Sequence, residues 1–177
     1  MQRPQLEHLI RAAAEITNQY EFVVVGSQSI LGSVDAPPAE CLVSMEADIY
    51  PLNAPELADL IDGAIGELSM FHDQFGYYAQ GVSPTTARLP QGWFDRVVRL
   101  QTAATNQRVA YCLDPVDLFV SKACAAREKD ADFNRALLAH GVVTMDQALE
   151  RVAKLDDRDE SARAAAWIKR LTMPLQG

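Results

Sequence analysis

Phe22-Val23-Val24-Val25-Gly26-Ser27, followed after a proline-broken loop by Met45-Glu46-Ala47-Asp48-Ile49-Tyr50, decides how this chain folds. Four consecutive aromatic and β-branched residues ended by a glycine predict a strand buried on both faces. The second stretch alternates. Met45, Ala47 and Ile49 point one way, while Ser44, Glu46, Asp48 and Tyr50 point the other, so two carboxylates share one face of a strand over Leu42 to Tyr50.

Working outward, Leu6, Leu9, Ile10, Ala13, Ala14 and Ile16 recur at helical spacing between Pro4 and Asn18. Ser27 is placed to cap a short helix over residues 28–32. Pro37 and Pro38 make Val34 to Glu40 a loop, and Pro55 to Leu68 returns to helical spacing. Phe75 to Val82, Arg96 to Gln101 and Val109 to Leu113 complete the strands, and a mixed sheet follows. Asp114 and Pro115 open a helix that runs through Lys122 towards Arg127. Further helices follow around Phe133 to Leu138, closed by His140-Gly141, and over residues 145–155 and 161–171, joined by the solvated charge run Asp156 to Glu160. The expected class is α/β (α+β): a small mixed sheet with flanking helices over residues 1–113, and a helical portion over 114–177 packed on it.

Composition narrows the function classes. With 177 residues, 49% of them apolar, the chain can bury one continuous core. A net charge of −8 opposes broad binding of polyanions, though a local basic cluster can still seat a phosphate. No apolar run approaches a membrane span or a signal-peptide core, so a cytoplasmic protein is expected. Cys41, Cys112 and Cys124 are odd in number and lack metal-chelating spacing, which predicts reduced core thiols. No nucleophile elbow, P-loop or dinucleotide fingerprint is present.

Magnesium takes oxygen ligands, usually a few carboxylates plus water and substrate phosphate. Alternate residues on a strand stand roughly 6.6 Å apart, close enough for both carboxylates to reach one ion or to bracket a pair of ions. An isolated acid-x-acid pair is more often a solvated strand face. Gly26-Ser27 shifts the balance, because a strand that ends in a glycine turn and opens a helix offers free amides to phosphate oxygens.

On Gly26, Ser27, Glu46 and Asp48 the chain resembles the nucleotidyltransferase superfamily, specifically the bacterial minimal and AbiEii-like toxin nucleotidyltransferases. A second block, Asp117 to Asp130, looks like that family's helix motif, with an acid-Leu opening, Lys122, and Arg127-Glu128-Lys129-Asp130 at its end. The resemblance implies that Glu46 and Asp48 bind Mg²⁺ or Mn²⁺, that Ser27 and the amide after Gly26 hold NTP phosphates, and that Lys122, with Arg127 and Lys129, neutralises the triphosphate. On one continuous helix, Lys122, Lys129 and Asp130 would face a common cleft, Asp130 being either a further acid or an ion-pair partner. The chain departs from the family in carrying Glu46 where aspartate is usual, and in showing no third acid within Arg96 to Gln101 or Val109 to Leu113. Asp95 and Asp114 are the nearest candidates, and Asp114 is better explained as a helix cap.

The activity implied is transfer of a nucleoside monophosphate from an NTP to a hydroxyl of an RNA, such as tRNA, or of a protein. A toxin role would add an antitoxin partner. The alternative is a catalytically degenerate member that binds nucleotide or protein without turnover. His72, Phe75, Tyr77 and Tyr78 are candidates for base stacking, weighed against a place in the core.

Overall fold

The computed structural model describes residues 1–171. Its sheet is built from β1 (Glu21–Val25), β2 (Glu46–Pro51), β3 (Tyr78–Gly81), β4 (Val98–Leu100) and β5 (Val109–Cys112), in the order β3-β2-β1-β5-β4. β1 lies antiparallel to β2 and parallel to β5, whereas β2–β3 is parallel and β4–β5 antiparallel. The run Phe22 to Val25 is buried, as its unbroken apolar character predicts for a central strand. The register sets Val25 beside Asp48, Glu46 beside Tyr78, and Asp48 beside Gln80.

Helix α1 (Arg3–Thr17) packs on α3 (Ala58–Ile65), which in turn lies along β3. The approach to β3 is close. A Cβ at Gly81 would fall 1.8 Å from the carbonyl oxygen of Ala58, so only glycine permits it. A 3-10 turn (Ser27–Ser29) leads from β1 into the one-turn helix α2 (Ile30–Ser33). The C-terminal part forms α5 (Pro115–Ala125), α6 (Glu128–Ala139), α7 (Met145–Val152) and α8 (Arg158–Arg170), with α5 in contact with the other three. Residues 172–177 of the expected helical portion lie outside the described residues.

Four local expectations need correction. Leu42 to Ser44 do not extend β2: Ala39–Leu42 is a 3-10 turn, and the Met1 ammonium donates to the carbonyls of Leu42 and Ser44, occupying acceptors a strand would use. Phe75 is not in a strand but ends α4 (Met70–Phe75), which Ser69 caps by accepting from the His72 amide at 3.1 Å. Ser27 makes no cap to the turn it begins. Finally, the helix carrying Lys122 stops at Ala125, because Ala126 adopts φ +52°, and Arg127 caps a separate helix. Lys122 and Lys129 therefore stand on different elements.

Asp114 caps α5 as its position predicts, accepting from the amides of Val116 and Asp117. Asp117 is fully buried and serves the fold: it accepts from Arg96 at 2.9 and 3.0 Å and from Arg151 at 2.7 Å. One carboxylate thus joins the turn before β4, α5 and α7. Replacing it by alanine removes the acceptor shared by two guanidinium groups, leaving Arg151 with Asp114 and Arg96 with the Gln91 carbonyl, and Asp117→Ala should unfold in urea with about 3 kcal/mol less stability than the parent. An unchanged urea midpoint would contradict this account.

Candidate active site

Gly26 closes β1 at φ +66°, a conformation that favours glycine. A second demand falls on the same residue, because a Cβ there would lie 1.9 Å from Oδ2 of Asp48. The carboxylate of Asp48 packs into the space that glycine leaves empty. On the other side of Asp48 along β2, Glu46 is held by the Tyr78 hydroxyl, which donates to its Oε2 at 3.0 Å.

Crowding sets the protonation of this pair. Burial, then the charge of Glu46 and a hydrogen bond to it, push the Asp48 carboxyl up to about 7, against the opposing pull of Lys122 and Arg127. Asp48 therefore keeps its proton further towards neutral pH than an ordinary aspartate does. Tyr78 is pushed up to about 12 by burial, its bond to Glu46 and the nearby acids, so it stays a donor throughout.

Lys122 reaches the site from α5 and is buried, its side chain 7% exposed. Its ammonium donates to Ser27 Oγ at 2.9 Å and to Asp130 Oδ1 at 3.1 Å, and lies 4.2 Å from the centre of the Phe133 ring. Burial lowers its pKa and Asp130 opposes that shift. Asp130 also accepts from Arg127 Nε at 2.7 Å and from the Arg127 amide at 3.3 Å, forming a capping box at the start of α6. Burial would raise the Asp130 carboxyl, but Arg127 and Lys122 outweigh it and hold it below the usual range. Asp130 is therefore the ion-pair partner of two bases, one of them on a neighbouring helix.

The glycine turn, the acid pair, Lys122 and Arg127 open on one cavity of about 650 Å³. Gly26, Ser27, Glu46, Asp48, Lys122, Arg127 and Lys129, all expected from the sequence to act together, line it. Residues that sequence reasoning missed line it too. Gln80 sits beside Asp48 in the register of β3, where the strand was placed correctly but its pairing with β2 was not legible. Arg88 and Glu160 meet at 3.8 Å across the rim, joining the loop after β3 to α8. No residue spacing announces that pair, since it depends on how α8 docks.

The other candidates lie elsewhere. Phe75 and Tyr77 pack with His8 and Phe71, and His8 Nδ1 bonds the Tyr77 hydroxyl at 2.8 Å. His72 lies against the Tyr78 ring at 4.6 Å, outside the cavity lining. Asp95 and Asp114 do not line the cavity either, and among the described residues no three His, Cys, Asp or Glu side chains form a metal-binding group.

A mixed sheet of this order, with a glycine turn and paired acids at one end and helices around it, is a nucleotidyltransferase-type fold. Over residues 4–166 the chain matches the family described as "Nucleotidyltransferase of unknown function (DUF6036)", and it belongs to that family. No curated protein and no solved structure matches it significantly.

The raised Asp48 pKa has a signed consequence for stability. Between the unfolded value of 3.8 and about 7 the folded protein holds the extra proton, so this contribution is present at low pH and lost as pH rises through 7. The melting temperature of metal-free protein should fall from pH 5 to pH 8 in scanning fluorimetry, and Asp48→Asn should flatten that slope. A slope unchanged in the variant would contradict the assignment.

Proposed function

We propose that the chain is a divalent-cation-dependent nucleotidyltransferase that moves a nucleoside monophosphate from an NTP to a hydroxyl of an RNA or protein acceptor. The observation that carries this reading is the convergence of Glu46 and Asp48 with Gly26-Ser27 and the cationic side chains of Lys122, Arg127 and Lys129 on one cavity. The donor set suits Mg²⁺ or Mn²⁺: two carboxylate groups, hard oxygen ligands, crowded enough that the charge of Glu46 raises the Asp48 carboxyl, a repulsion a cation would relieve. When bound by Glu46 and Asp48, such an ion would offset negative charge on the triphosphate oxygens, leaving the phosphorus more open to attack.

The chain's own residues divide the remaining work. Tyr78 fixes one oxygen of Glu46 and leaves the other for a ligand. Arg127, with its side chain 58% exposed, and Lys129 line the cavity and are placed to take the phosphates. Lys122 is engaged by Ser27 and Asp130, so it acts by supplying positive potential behind Ser27 and by orienting its hydroxyl. The acceptor hydroxyl would lose its proton to water as its oxygen bonds the α-phosphorus, while the bond from that phosphorus to the α–β bridging oxygen breaks, releasing pyrophosphate towards Arg127 and Lys129.

The AbiEii-like assignment, a toxin role and an antitoxin partner belong to the same proposal, resting on the two ordered motifs. A cytoplasmic location is in keeping with the three free cysteines. Among the described residues no helix is long and apolar enough to cross a membrane.

Incubation with Mg²⁺, each radiolabelled NTP in turn, and either total tRNA or protein acceptors should give incorporated label. Asp48→Asn should abolish it without lowering the melting temperature. Label retained in that variant would overturn the proposal, and NTP binding in calorimetry without transfer would favour the degenerate reading. Lys129→Ala should raise the KM for NTP by roughly tenfold, the loss of one charge-assisted phosphate contact.

A further inference from the structure

Outside the cavity, the surface formed by α3, α4 and the turn between them carries the two most exposed large apolar residues among the described residues. Leu68 is 84% exposed and Met70 88% exposed, the two sides of Ser69. Leu60 on the outward face of α3 and Phe75 at the end of α4 are also exposed. Leu60, Ala64 and Leu68 follow one another at four-residue spacing, which carries the apolar stripe along α3 into the turn. Scattered exposed apolar residues need no explanation, whereas a run of this kind marks a surface that another molecule covers.

Two further observations bear on it. Leu68 holds φ +63°, a left-handed conformation that strains a branched side chain and that glycine or asparagine would adopt more readily. The strained turn thus presents a large apolar side chain to solvent rather than burying it. The second concerns charge. Between Arg11 and Arg88 the chain has no lysine or arginine, yet it has eleven acids. Five of them, Glu56, Asp59, Asp62, Glu67 and Asp73, are exposed around this apolar stripe.

We infer that the α3–α4 face is a docking surface for a cationic, amphipathic segment of a partner protein, whose apolar side chains cover Leu60, Leu68 and Met70 while its lysines or arginines meet the acidic rim. Charge complementarity selects this occupant: a nucleic acid is repelled by the same acids, and an uncharged apolar segment leaves the rim without a counterpart. The inference does not depend on nucleotide transfer, since none of these residues lines the cavity.

The test uses the full chain and a synthetic helix-forming peptide of leucine and lysine, with the leucines on one face. A peptide of identical composition with that stripe scrambled serves as control. Fluorescence anisotropy should show the striped peptide bound at least tenfold more tightly than the scrambled one, with affinity falling as salt rises. The double variant Leu68→Ser, Met70→Ser should lose that preference while its melting temperature stays level or rises. Asp59→Asn with Asp62→Asn and Glu67→Gln should flatten the salt dependence. Equal binding of both peptides, or unchanged binding by the double variant, would overturn the inference. So would a dimer in sedimentation that the double variant dissolves, because a second copy would then be the occupant.

Discussion

The site depends on one close contact, between the carboxylate of Asp48 and the backbone at Gly26. A side chain at Gly26 and a carboxylate at Asp48 cannot share that space, so strand pairing, turn geometry and acid placement are a single constraint. Val25 and Asp48 are paired across β1 and β2, which delivers the acid to the turn without any loop having to order itself. Glu46 then falls on the same face by the two-residue period of the strand. The result is a pair of acids pressed together more tightly than their charges favour. Such pairs carry latent affinity for anything positive, whether a proton or a metal ion.

Positive charge is supplied from the opposite side by a device of similar economy. The left-handed residue Ala126 turns α5 sharply into α6, and the turn lets Asp130 meet both Arg127 and Lys122. Burying an ammonium is costly unless it is paired and hydrogen-bonded, and here Asp130, Ser27 and the Phe133 ring all contribute. The aspartate therefore does two jobs, as the third-position partner in the capping box of α6 and as counter-ion for Lys122. Asp117 performs the equivalent task for Arg96 and Arg151 at the other end of α5. One helix is thus anchored by a buried carboxylate at each end, and both acids belong to the block that looked like a catalytic motif.

How much could be read beforehand varied with the range of the interactions involved. The apolar run of β1, the alternation in β2 and the Asp114-Pro115 start of α5 are local patterns, and they placed Gly26, Glu46 and Asp48 together. The residues that went unread depend on contacts between distant segments. Gln80, and the hold of Tyr78 on Glu46 in place of the base stacking expected of it, acquire meaning only through the parallel pairing of β3 with β2, and strand register across a long connection leaves no mark in spacing. Helical periodicity ran straight through Ala126, because alanine is a strong helix former and nothing in its identity announces a left-handed turn. The aromatic sequence Phe75 to Tyr78 suited a strand by composition, while the signal that mattered was the smaller one, Ser69 capping a short helix.

The ion pairs around the cavity differ in how far water reaches them. Lys122 and Asp130 are enclosed by protein, whereas Arg88 and Glu160 face solvent to different degrees at the mouth. Dissolved electrolyte weakens an exposed pair long before it affects an enclosed one. Ionic strength is thereby a selective lever on this molecule, loosening the clasp between α8 and the loop after β3 while the floor beneath keeps its shape.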